Sequence, residues 1–563
     1  MLYAPVRPSH SLYDKHKDII DNAIKAVHKR EFFSQYSEMP SPQVYGETAE
    51  ADQKKAFETQ CSNKFERLKQ NHDTWMVSDE QSPYTQEKLG ISYPTLADSN
   101  AYVKLGLEAW SDWKQTDAKT RAGILLESLE RLKLHFHEIA FATMHTTGQS
   151  YMMSFQASGP HAAERALEAI ALGYQELTRF PHKLTWEKPV GKSNVKLEKF
   201  YKTVPKGVSL SIGCATFPIW NTIPGLYGSL IAGNPVIVKP HPKAIYPIAV
   251  VVAILQEVIS ENGFSPNVVM LATDTEAKTI TKQLAESSDV KIIDFTGGSE
   301  FGRYIESLPG KVTFTEMSGV NSIIIDSVSD LGAMAQNVAF SVSLYSGQMC
   351  TAPQNFYVPK DGIKAGNEHV SFEVVENAIV EAIRGLAGHP KAGPGVLGAI
   401  QSEATYKRVD EAQKLGGKIL LESKPVANPD FPKIRSASPI VIELQPSARE
   451  IFNREMFGPI VFIIPTTNTE VSLRLAAESA KQHGAISCGA YTADENVMQH
   501  IATVMADAGT SVAFNLVGNI YVNQNASFSD FHVTGGNPAG SASFTDPEFV
   551  LRRFTRVQAK VNS

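Results

Sequence analysis

The chain contains the run Val208-Ser209-Leu210-Ser211-Ile212-Gly213, and a second apolar run, Pro235-Val236-Ile237-Val238-Lys239-Pro240, follows the helix-like segment 226–232. Each run is short, apolar and closed by glycine or proline, which is typical of a buried strand. The alternation continues with a helix over 248–259, a strand over 268–271, a helix over 277–285 and a strand over 290–295. Strands that alternate with helices in this way predict a parallel, doubly wound α/β sheet.

The regions on either side of this sheet complete the predicted organisation. A helical pattern precedes it over about 101–180, and a second α/β stretch runs from about 331 to 518, long enough for its own core. Residues 1–96 are polar and carry no recognisable catalytic residues. We predict an N-terminal appendage over 1–96, a cofactor-binding domain over 97–318, a catalytic domain over 319–525 and a C-terminal return over 526–563.

Two further elements favour self-association. A basic stretch at about 187–203 reads as a hairpin, and the run from Val550 to Val557 reads as an edge strand. Exposed edge strands are often covered by a partner. We therefore expect a small oligomerisation arm and a homodimer or homotetramer.

Composition excludes several classes of function. The 563 residues are 43% hydrophobic and 20% charged, with a net charge of −6, so there is no basic excess for nucleic acid or an anionic membrane. The longest apolar runs are shorter than a membrane span. The four cysteines (Cys61, Cys214, Cys350 and Cys488) form neither a CxxC pair nor a metal-ligand cluster. We expect no metal site and a reducing, cytoplasmic location.

One stretch carries candidate chemistry: Ser346-Gly347-Gln348-Met349-Cys350-Thr351-Ala352. Cys350 is a possible nucleophile, and the earlier Glu316 could activate water for a second step. This pairing indicates covalent thiol catalysis through a thioester. A lone cysteine in an apolar stretch is more often a small core residue, so the other motifs must decide.

Two features of the doubly wound region suit a dinucleotide. Gly297, Gly298 and Gly302 follow the fourth strand and lead into a helical stretch, where backbone N–H groups can approach a pyrophosphate. Lys239 ends the second strand and could reach a ribose hydroxyl or a 2′-phosphate. Alternatively, the glycine turn is only a tight connection between two elements, and Lys239 is a surface lysine that precedes a proline turn.

Five motifs occur in a fixed order: 231–240, the glycine turn at 297–302, Glu316-Met317-Ser318-Gly319, Gly347-Gln348-Met349-Cys350, and Glu455-Met456-Phe457-Gly458-Pro459. In this order and spacing, the chain resembles the aldehyde dehydrogenase superfamily from about residue 97 onward. The resemblance implies an α/β fold with a Rossmann-like cofactor domain, an α/β catalytic domain and a small oligomerisation arm.

Further segments resemble one branch of that superfamily, the phenylacetic acid degradation (PaaN) group in its stand-alone form without a hydratase domain. These segments are 89–94, 144–149, 152–161 and 216–221. The branch implies NAD(P)-dependent oxidation of an aldehyde to its acid. It favours a semialdehyde from aromatic degradation that is carried as a CoA thioester.

The resemblance also implies roles for individual residues. Cys350 would attack the aldehyde carbon, hydride would pass to the nicotinamide, and Glu316 would activate the water that hydrolyses the thioester. The remaining implied roles concern the cofactor: Lys239 at the adenosine ribose, Gly297 to Gly302 at the pyrophosphate, Glu455 at the nicotinamide ribose and Phe457 beside its ring. Without the resemblance, Glu316 and Glu455 would read as a capping or surface acid.

Two positions depart from the family pattern. Thr216 stands where most members have an asparagine that donates to the developing oxyanion. Thr216 is the expected donor, and Asn221 is a conceivable substitute. Pro242 stands where NAD-preferring relatives often carry a glutamate, and His241 with Lys239 adds positive charge. We therefore expect NADP to be used at least as well as NAD.

Three alternatives remain open from the sequence. A CoA-acylating dehydrogenase is disfavoured because acylating relatives usually lack the carboxylate of Glu316. A non-catalytic binding or scaffold protein of the same fold gains some support from Thr216. A cofactor-free thiol hydrolase would need a histidine beside Cys350, and nothing in the sequence pairs His483 or His532 with it.

Overall fold

The computed structural model describes residues 2–522 and 527–562. Its N-terminal segment packs against the helices that follow, so that α1 lies on α6, α2 on α9 and α4 on α7, and its buried side chains join their core. The elements of this segment are the helices α1 (Ser11–Lys15), α2 (Lys17–Lys29), α3 (Pro42–Tyr45) and α4 (Ala49–Gln60) and the antiparallel strands β1 (Thr74–Val77) and β2 (Ser92–Thr95). The helices it contacts belong to the predicted helical region, which is confirmed: α5 (Ser99–Trp113), α6 (Ala118–Lys133), α7 (Phe136–Thr147), α8 (Tyr151–Ser158) and α9 (Pro160–Thr178).

A two-stranded arm then leaves the helical layer. Its strands are β3 (Lys183–Val190) and β4 (Ser193–Pro205), which pair antiparallel around Gly191. The predicted hairpin is therefore present and begins at Lys183 rather than near 187.

The first sheet has the predicted doubly wound form. Its strands are β5 (Val208–Ile212), β6 (Val236–Lys239), β7 (Val269–Leu271), β8 (Val290–Gly297) and β9 (Val312–Met317), and its helices are α10 (Ile223–Ala232), α11 (Tyr246–Glu261), α12 (Thr281–Glu286) and α13 (Ser299–Ser307). All strand pairs are parallel in the order β7-β6-β5-β8-β9, which reverses direction at β5. The predicted helix 277–285 is shorter than expected, because Thr275 and Lys278 pair in a turn and Asp274 accepts a hydrogen bond from the Ile280 N–H.

The second sheet has seven strands in the order β15-β16-β17-β12-β10-β18-β19, and only the β15–β16 pair is antiparallel. The strand of this sheet that comes first in the sequence covers Asn321–Ile325, so the sheet begins before residue 331, where the second α/β stretch was expected to begin. The elements are β10 (Asn321–Ile325), β11 (Ser327–Val328), α14 (Leu331–Ser343), β12 (Pro353–Pro359), β13 (Ile363–Ala365), β14 (Glu368–Val370), α15 (Phe372–Ala387), α16 (Ala392–Leu397), α17 (Glu403–Ala412), β15 (Lys418–Leu421), β16 (Ile440–Glu443), α18 (Arg449–Phe452), β17 (Ile460–Thr466), α19 (Thr469–His483), β18 (Ser487–Tyr491), α20 (Glu495–Asp507) and β19 (Ser511–Phe514). Strands β11, β13 and β14 form a small separate sheet.

The C-terminal segment returns to the first sheet. Arg553 is fully buried and donates to both carboxylate oxygens of Asp294 on β8, at 2.7 and 2.6 Å. The predicted strand over Val550–Val557 is therefore wrong in its first half, because the chain turns through α21 (Glu548–Leu551) to insert Arg553, and β20 (Phe554–Asn562) begins after it. Strand β20 pairs with β4, so the arm becomes a three-stranded sheet in the order β20-β4-β3. Within the described ranges, no helix is both long and apolar enough to cross a membrane.

Candidate active site

Cys350 lies on a tightly held loop between α14 and β12. A short 3-10 turn, Leu344–Gly347, precedes it, and Tyr345 and Ser346 adopt left-handed φ angles of 51° and 50°. Such angles are costly for residues other than glycine and persist only where the surroundings impose them. The Tyr345 hydroxyl donates to the Thr147 carbonyl at 2.6 Å, and the Ser346 hydroxyl donates to the Leu397 carbonyl at 3.0 Å.

The Gly-Gln pair before the cysteine has a structural reason. A Cβ atom at Gly347 would stand 2.5 Å from the carbonyl oxygen of Gly458, so the two loops can approach only at glycine. The Gln348 amide donates to the Ala399 carbonyl at 2.9 Å and accepts from the Gln401 N–H at 2.8 Å. The motif therefore fixes the backbone that presents Cys350.

Glu316 lies at the carboxyl end of β9 and meets Cys350 directly. The Cys350 Sγ donates to Glu316 Oε1 at 3.0 Å, and Glu316 is 1% exposed. Burial raises the pKa of Cys350 well above its ordinary value, and the negative charge of Glu316 raises it further. The resting thiol is therefore protonated, and its proton already points at a carboxylate.

Two more side chains complete this cluster. Asn221 Nδ2 donates to Glu316 Oε2 at 2.7 Å, and His532 Nε2 lies 3.1 Å from Oε1. Burial alone would raise the pKa of Glu316. The charge of His532 and hydrogen bonds from His532, Cys350 and Asn221 outweigh that effect and lower the pKa. Glu316 is thus held as an ionised base in a buried site.

The sequence offered no sign of His532. It reaches the cluster because residues 539–541 lie antiparallel beside β9, where the Met317 N–H donates to the Ala539 carbonyl at 2.6 Å. The His532 ring packs edge-on against Trp220, with centroids 4.7 Å apart. The sequence paired neither histidine with Cys350, and the structure links His532 to it through Glu316, whereas His483 is exposed at the end of α19.

The same three functional groups are ligand types for a metal ion. The nearest Glu316, Cys350 and His532 ligand atoms lie within 4.8 Å of one another. Their mutual hydrogen bonds account for this proximity, and we assign them no metal.

The structure separates the two candidate oxyanion donors. Thr216 accepts a hydrogen bond at its carbonyl oxygen from Gln149 Nε2, at 2.8 Å, and is absent from the described lining of the cavity above Cys350. Asn221 lines that cavity and contacts Glu316. Thr216, the donor that the sequence favoured, therefore lies outside the described cavity lining, whereas Asn221 lines the cavity and contacts Glu316.

The glycine turn fits a dinucleotide phosphate. Gly297 ends β8 and Gly298 precedes α13, at the carboxyl end of the sheet and beside the point where strand order reverses, the usual position of a nucleotide in such folds. A Cβ atom at Gly298 would meet nothing within 4 Å, so its backbone is open to a ligand. Gly302 is buried, and a Cβ atom there would overlap Met317, so its role in the structure is packing.

Lys239 lies at the end of β6 as expected, but it is not a free cation. Its Nζ pairs with Asp274 Oδ1 at 2.7 Å and donates to the Pro240 carbonyl at 2.6 Å. Burial lowers the pKa of Lys239 although Asp274 opposes the shift. Burial also lowers the pKa of His241 to about 4, and Lys239 and Lys243 lower it further. The sequence missed Asp274, which comes from the loop after β7.

Glu455 and Phe457 lie on the loop between α18 and β17. The Met456 N–H donates to Gln354 Oε1 at 2.7 Å, which ties this loop to β12, and Arg408 donates to the Phe457 carbonyl at 2.7 Å. Burial raises the pKa of Glu455 to about 7. Its charge contributes to the raised pKa of Cys350, so it belongs to the same electrostatic environment.

A partly buried thiol against a buried, ionised carboxylate, next to a parallel sheet with an open glycine turn, is the arrangement expected of an enzyme that combines cysteine chemistry with a dinucleotide. The family model described as the aldehyde dehydrogenase family matches residues 72–558. The chain belongs to the aldehyde dehydrogenase family and is an enzyme. The match begins within the segment 1–96, earlier than the resemblance at residue 97 had indicated.

Similar proteins agree with this assignment. The solved structure of an NAD-dependent aldehyde dehydrogenase from Burkholderia multivorans is 44% identical, with a TM-score of 0.96 over 99% of both chains. A 1-pyrroline-5-carboxylate dehydrogenase of Bacillus subtilis (strain 168) is 26% identical over 70% of this chain and 74% of its own length. A Thermus 1-pyrroline-5-carboxylate dehydrogenase with bound NAD shares the fold at 19% identity, with a TM-score of 0.73 over 95% of this chain and 99% of its own. These relatives support the family and not the phenylacetate-degradation branch.

Proposed function

We propose that the chain oxidises an aldehyde to its acid with a nicotinamide dinucleotide, through a thioester on Cys350. The observation that carries this proposal is the 3.0 Å hydrogen bond from the Cys350 thiol to the ionised Glu316. A protonated cysteine is a poor nucleophile, and a neighbouring base is the usual remedy.

The residues would act in two stages. Glu316 takes the thiol proton as Cys350 Sγ bonds to the aldehyde carbon, which gives a thiohemiacetal. The C–H bond of the former aldehyde then breaks, a nicotinamide held at this site would supply the hydride acceptor, and Cys350 retains the acyl group as a thioester. Glu316, having released its first proton, takes a second from water, whose oxygen attacks the thioester and frees the acid and the thiol.

Charge on the substrate oxygen develops next to Asn221. Its amide already donates to Glu316 in the cavity, so a small rotation would present an N–H to the oxyanion. We propose Asn221 as this donor, with Thr216 supporting the Cys214–Thr216 turn behind it.

For the cofactor, the glycine turn over Gly297 and Gly298 would hold the pyrophosphate, with Glu455 and Phe457 at the nicotinamide end. The Burkholderia relative is NAD-dependent. The charges that favoured NADP in the sequence are weaker here, because Asp274 neutralises Lys239 and Glu276 pairs with Lys243 at 2.9 Å. We therefore propose NAD as the preferred cofactor, although Pro242 offers no carboxylate against NADP.

The structure disfavours the three alternatives that the sequence left open, namely a CoA-acylating dehydrogenase, a scaffold protein and a thiol hydrolase. Glu316 stands against Cys350, so water activation is available and acyl transfer to CoA is not required. The hydrogen-bonded reactive cluster argues against a scaffold. A thiol hydrolase would place His532 on Cys350, whereas its bond goes to Glu316.

The arm and the cysteines support two lesser proposals. Strands β3 and β20 lie at the two ends of the three-stranded sheet, with Val190 and Val557 exposed, so we propose that a second copy covers an edge. All four cysteines are free, which suits a reducing cytoplasm.

The test is NADH production with NAD and a panel of aldehydes, comparing the natural chain with Cys350→Ser. Cys61→Ser serves as a control. Cys61 is partly buried, like Cys350, but it does not line the cavity. The proposal expects full activity in the control and none in Cys350→Ser. Equal activity in both variants would refute a role for Cys350.

A further inference from the structure

The cavity above Cys350 has the size of a small-molecule site and mostly apolar walls. It measures about 390 Å³, within the range of ligand pockets, and Cys350, Asn221 and His532 form its floor. The apolar side chains of its wall include Met152, Met153, Phe217, Trp220, Phe340 and Leu344. Aromatic rings and thioethers of this kind pack well against a flat apolar group.

The charges at the wall are acidic or paired. None of the described residues lining the cavity is lysine or arginine, and the sequence 523–526 contains neither. The acids of the wall are Glu38, which pairs with His161 at 3.2 Å, and the buried Glu164. An anionic group would therefore meet carboxylates, and His161 and His532, the described lining residues that can carry positive charge, already pair with Glu38 and Glu316.

Part of the wall comes from the N-terminal segment. Phe32, Phe33 and Glu38 lie between α2 and α3 and line the cavity. The Gln35 N–H donates to Glu164 Oε1 at 3.0 Å, and the Phe33 ring packs edge-on against Phe528 at 5.2 Å. The segment 32–38 is thus held at the cavity wall by these two contacts.

We propose that the substrate is an uncharged aldehyde with an apolar tail about the size of a phenyl ring, selected by this wall and by the segment 32–38. The proposal rests on the proposed function and narrows it. It replaces the CoA-linked semialdehyde expected from the sequence, because the phosphates of CoA would need lysine or arginine side chains, which the described wall lacks. It also disfavours a substrate that carries a carboxylate, such as the 1-pyrroline-5-carboxylate for which several relatives are named.

The first experiment measures kcat/KM of the full-length chain with NAD. The neutral series runs from acetaldehyde to heptanal and includes phenylacetaldehyde, and the anionic aldehydes are succinate semialdehyde and glutarate semialdehyde. We expect about a fourfold rise for each added methylene, the increment that burial of one CH₂ supplies. We expect succinate semialdehyde to fall about a hundredfold below butanal.

An anionic or CoA-linked semialdehyde that equals or exceeds phenylacetaldehyde would overturn the inference and leave the proposed function standing. A flat response along the neutral series would also overturn it. Absence of Cys350-dependent NADH with every aldehyde would overturn the proposed function itself, and the inference with it.

Two variants locate the effect in the wall. Phe33→Ala should raise KM for phenylacetaldehyde about tenfold and leave acetaldehyde within twofold, since only the longer substrate reaches it. Met153→Arg should lower kcat/KM for phenylacetaldehyde and raise it for succinate semialdehyde. Leu134→Arg is the matched control, because Leu134 is 67% exposed and lies outside the cavity.

Thermal unfolding of each variant separates specificity from misfolding. If Met153→Arg does not fold, the partly exposed Phe33 still tests the proposal through its substrate-dependent KM. An equal loss on acetaldehyde and phenylacetaldehyde in Phe33→Ala would show that the segment 32–38 does not select the tail.

Discussion

The floor and the wall of the cavity are built on opposite principles. The floor is polar and connected, since one carboxylate of Glu316 joins Cys350, Asn221 and His532 by hydrogen bonds of 2.7–3.1 Å. The wall is apolar and draws on an N-terminal segment, α8, the 214–222 loop and α14. Reaction chemistry depends on a few directional contacts, whereas specificity depends on a surface without fixed partners.

This difference separates two kinds of variant. Changes in the floor should alter kcat for every aldehyde, because they change the groups that react. Changes in the wall should alter KM for some aldehydes only.

The largest effect is expected for Cys350→Ala. Loss of the nucleophile should reduce kcat at least about 10⁴-fold on every substrate, because no group remains to form the thioester. The measurement is NADH formation, with Cys61→Ala beside it to show that loss of a thiol elsewhere is tolerated. Residual activity above about 1% would contradict the assignment of the nucleophile.

Glu316→Gln should come second, with a fall of about 10² to 10⁴ in kcat. The amide is nearly isosteric but cannot accept a proton from the thiol or from water. If thioester formation retains some rate, stopped-flow absorbance should show a burst of NADH followed by slow turnover. Glu376→Gln is a matched buried-acid control, because Glu376 is 4% exposed and lies outside the cavity, and an equal loss of turnover in it would remove the special role of Glu316.

His532→Gln should shift the pH profile rather than abolish activity. Glu316 must be ionised, so activity falls as pH drops through its pKa. His532 lowers that pKa, and without His532 the effect of burial, which raises it, is less opposed, so the acidic limb should move to higher pH. Activity should therefore be lost at a pH on that limb and kept near neutral pH. The check is kcat/KM from acidic to neutral pH, and an unmoved limb would contradict the electrostatic role.

The smallest effect is expected for Met152→Ala in the wall. Met152 is 43% exposed, so truncation removes part of one apolar contact and should raise KM for phenylacetaldehyde about threefold, with kcat unchanged. Acetaldehyde kinetics should not change. A fall in kcat for both aldehydes would show that wall and floor are not independent.

The sequence alone determined the elements whose signals are local. The buried strands β5, β6 and β8, the glycine turn at Gly297 and the loop of Cys350 all follow from short runs, because strand burial and a close backbone approach restrict nearby residues directly. The order of the motifs also predicted that Cys350 and Glu316 act together, and the structure places the two side chains in contact.

Tertiary structure alone decided the contacts between distant segments. His532 lies 216 positions from Glu316, Asp274 comes to Lys239 from the loop after β7, and Asn221 rather than Thr216 faces the cavity. No local pattern records such contacts, because each depends on which loops meet at the edge of a sheet. The same holds for the segment 32–38, whose place in the substrate wall follows from its packing on α9.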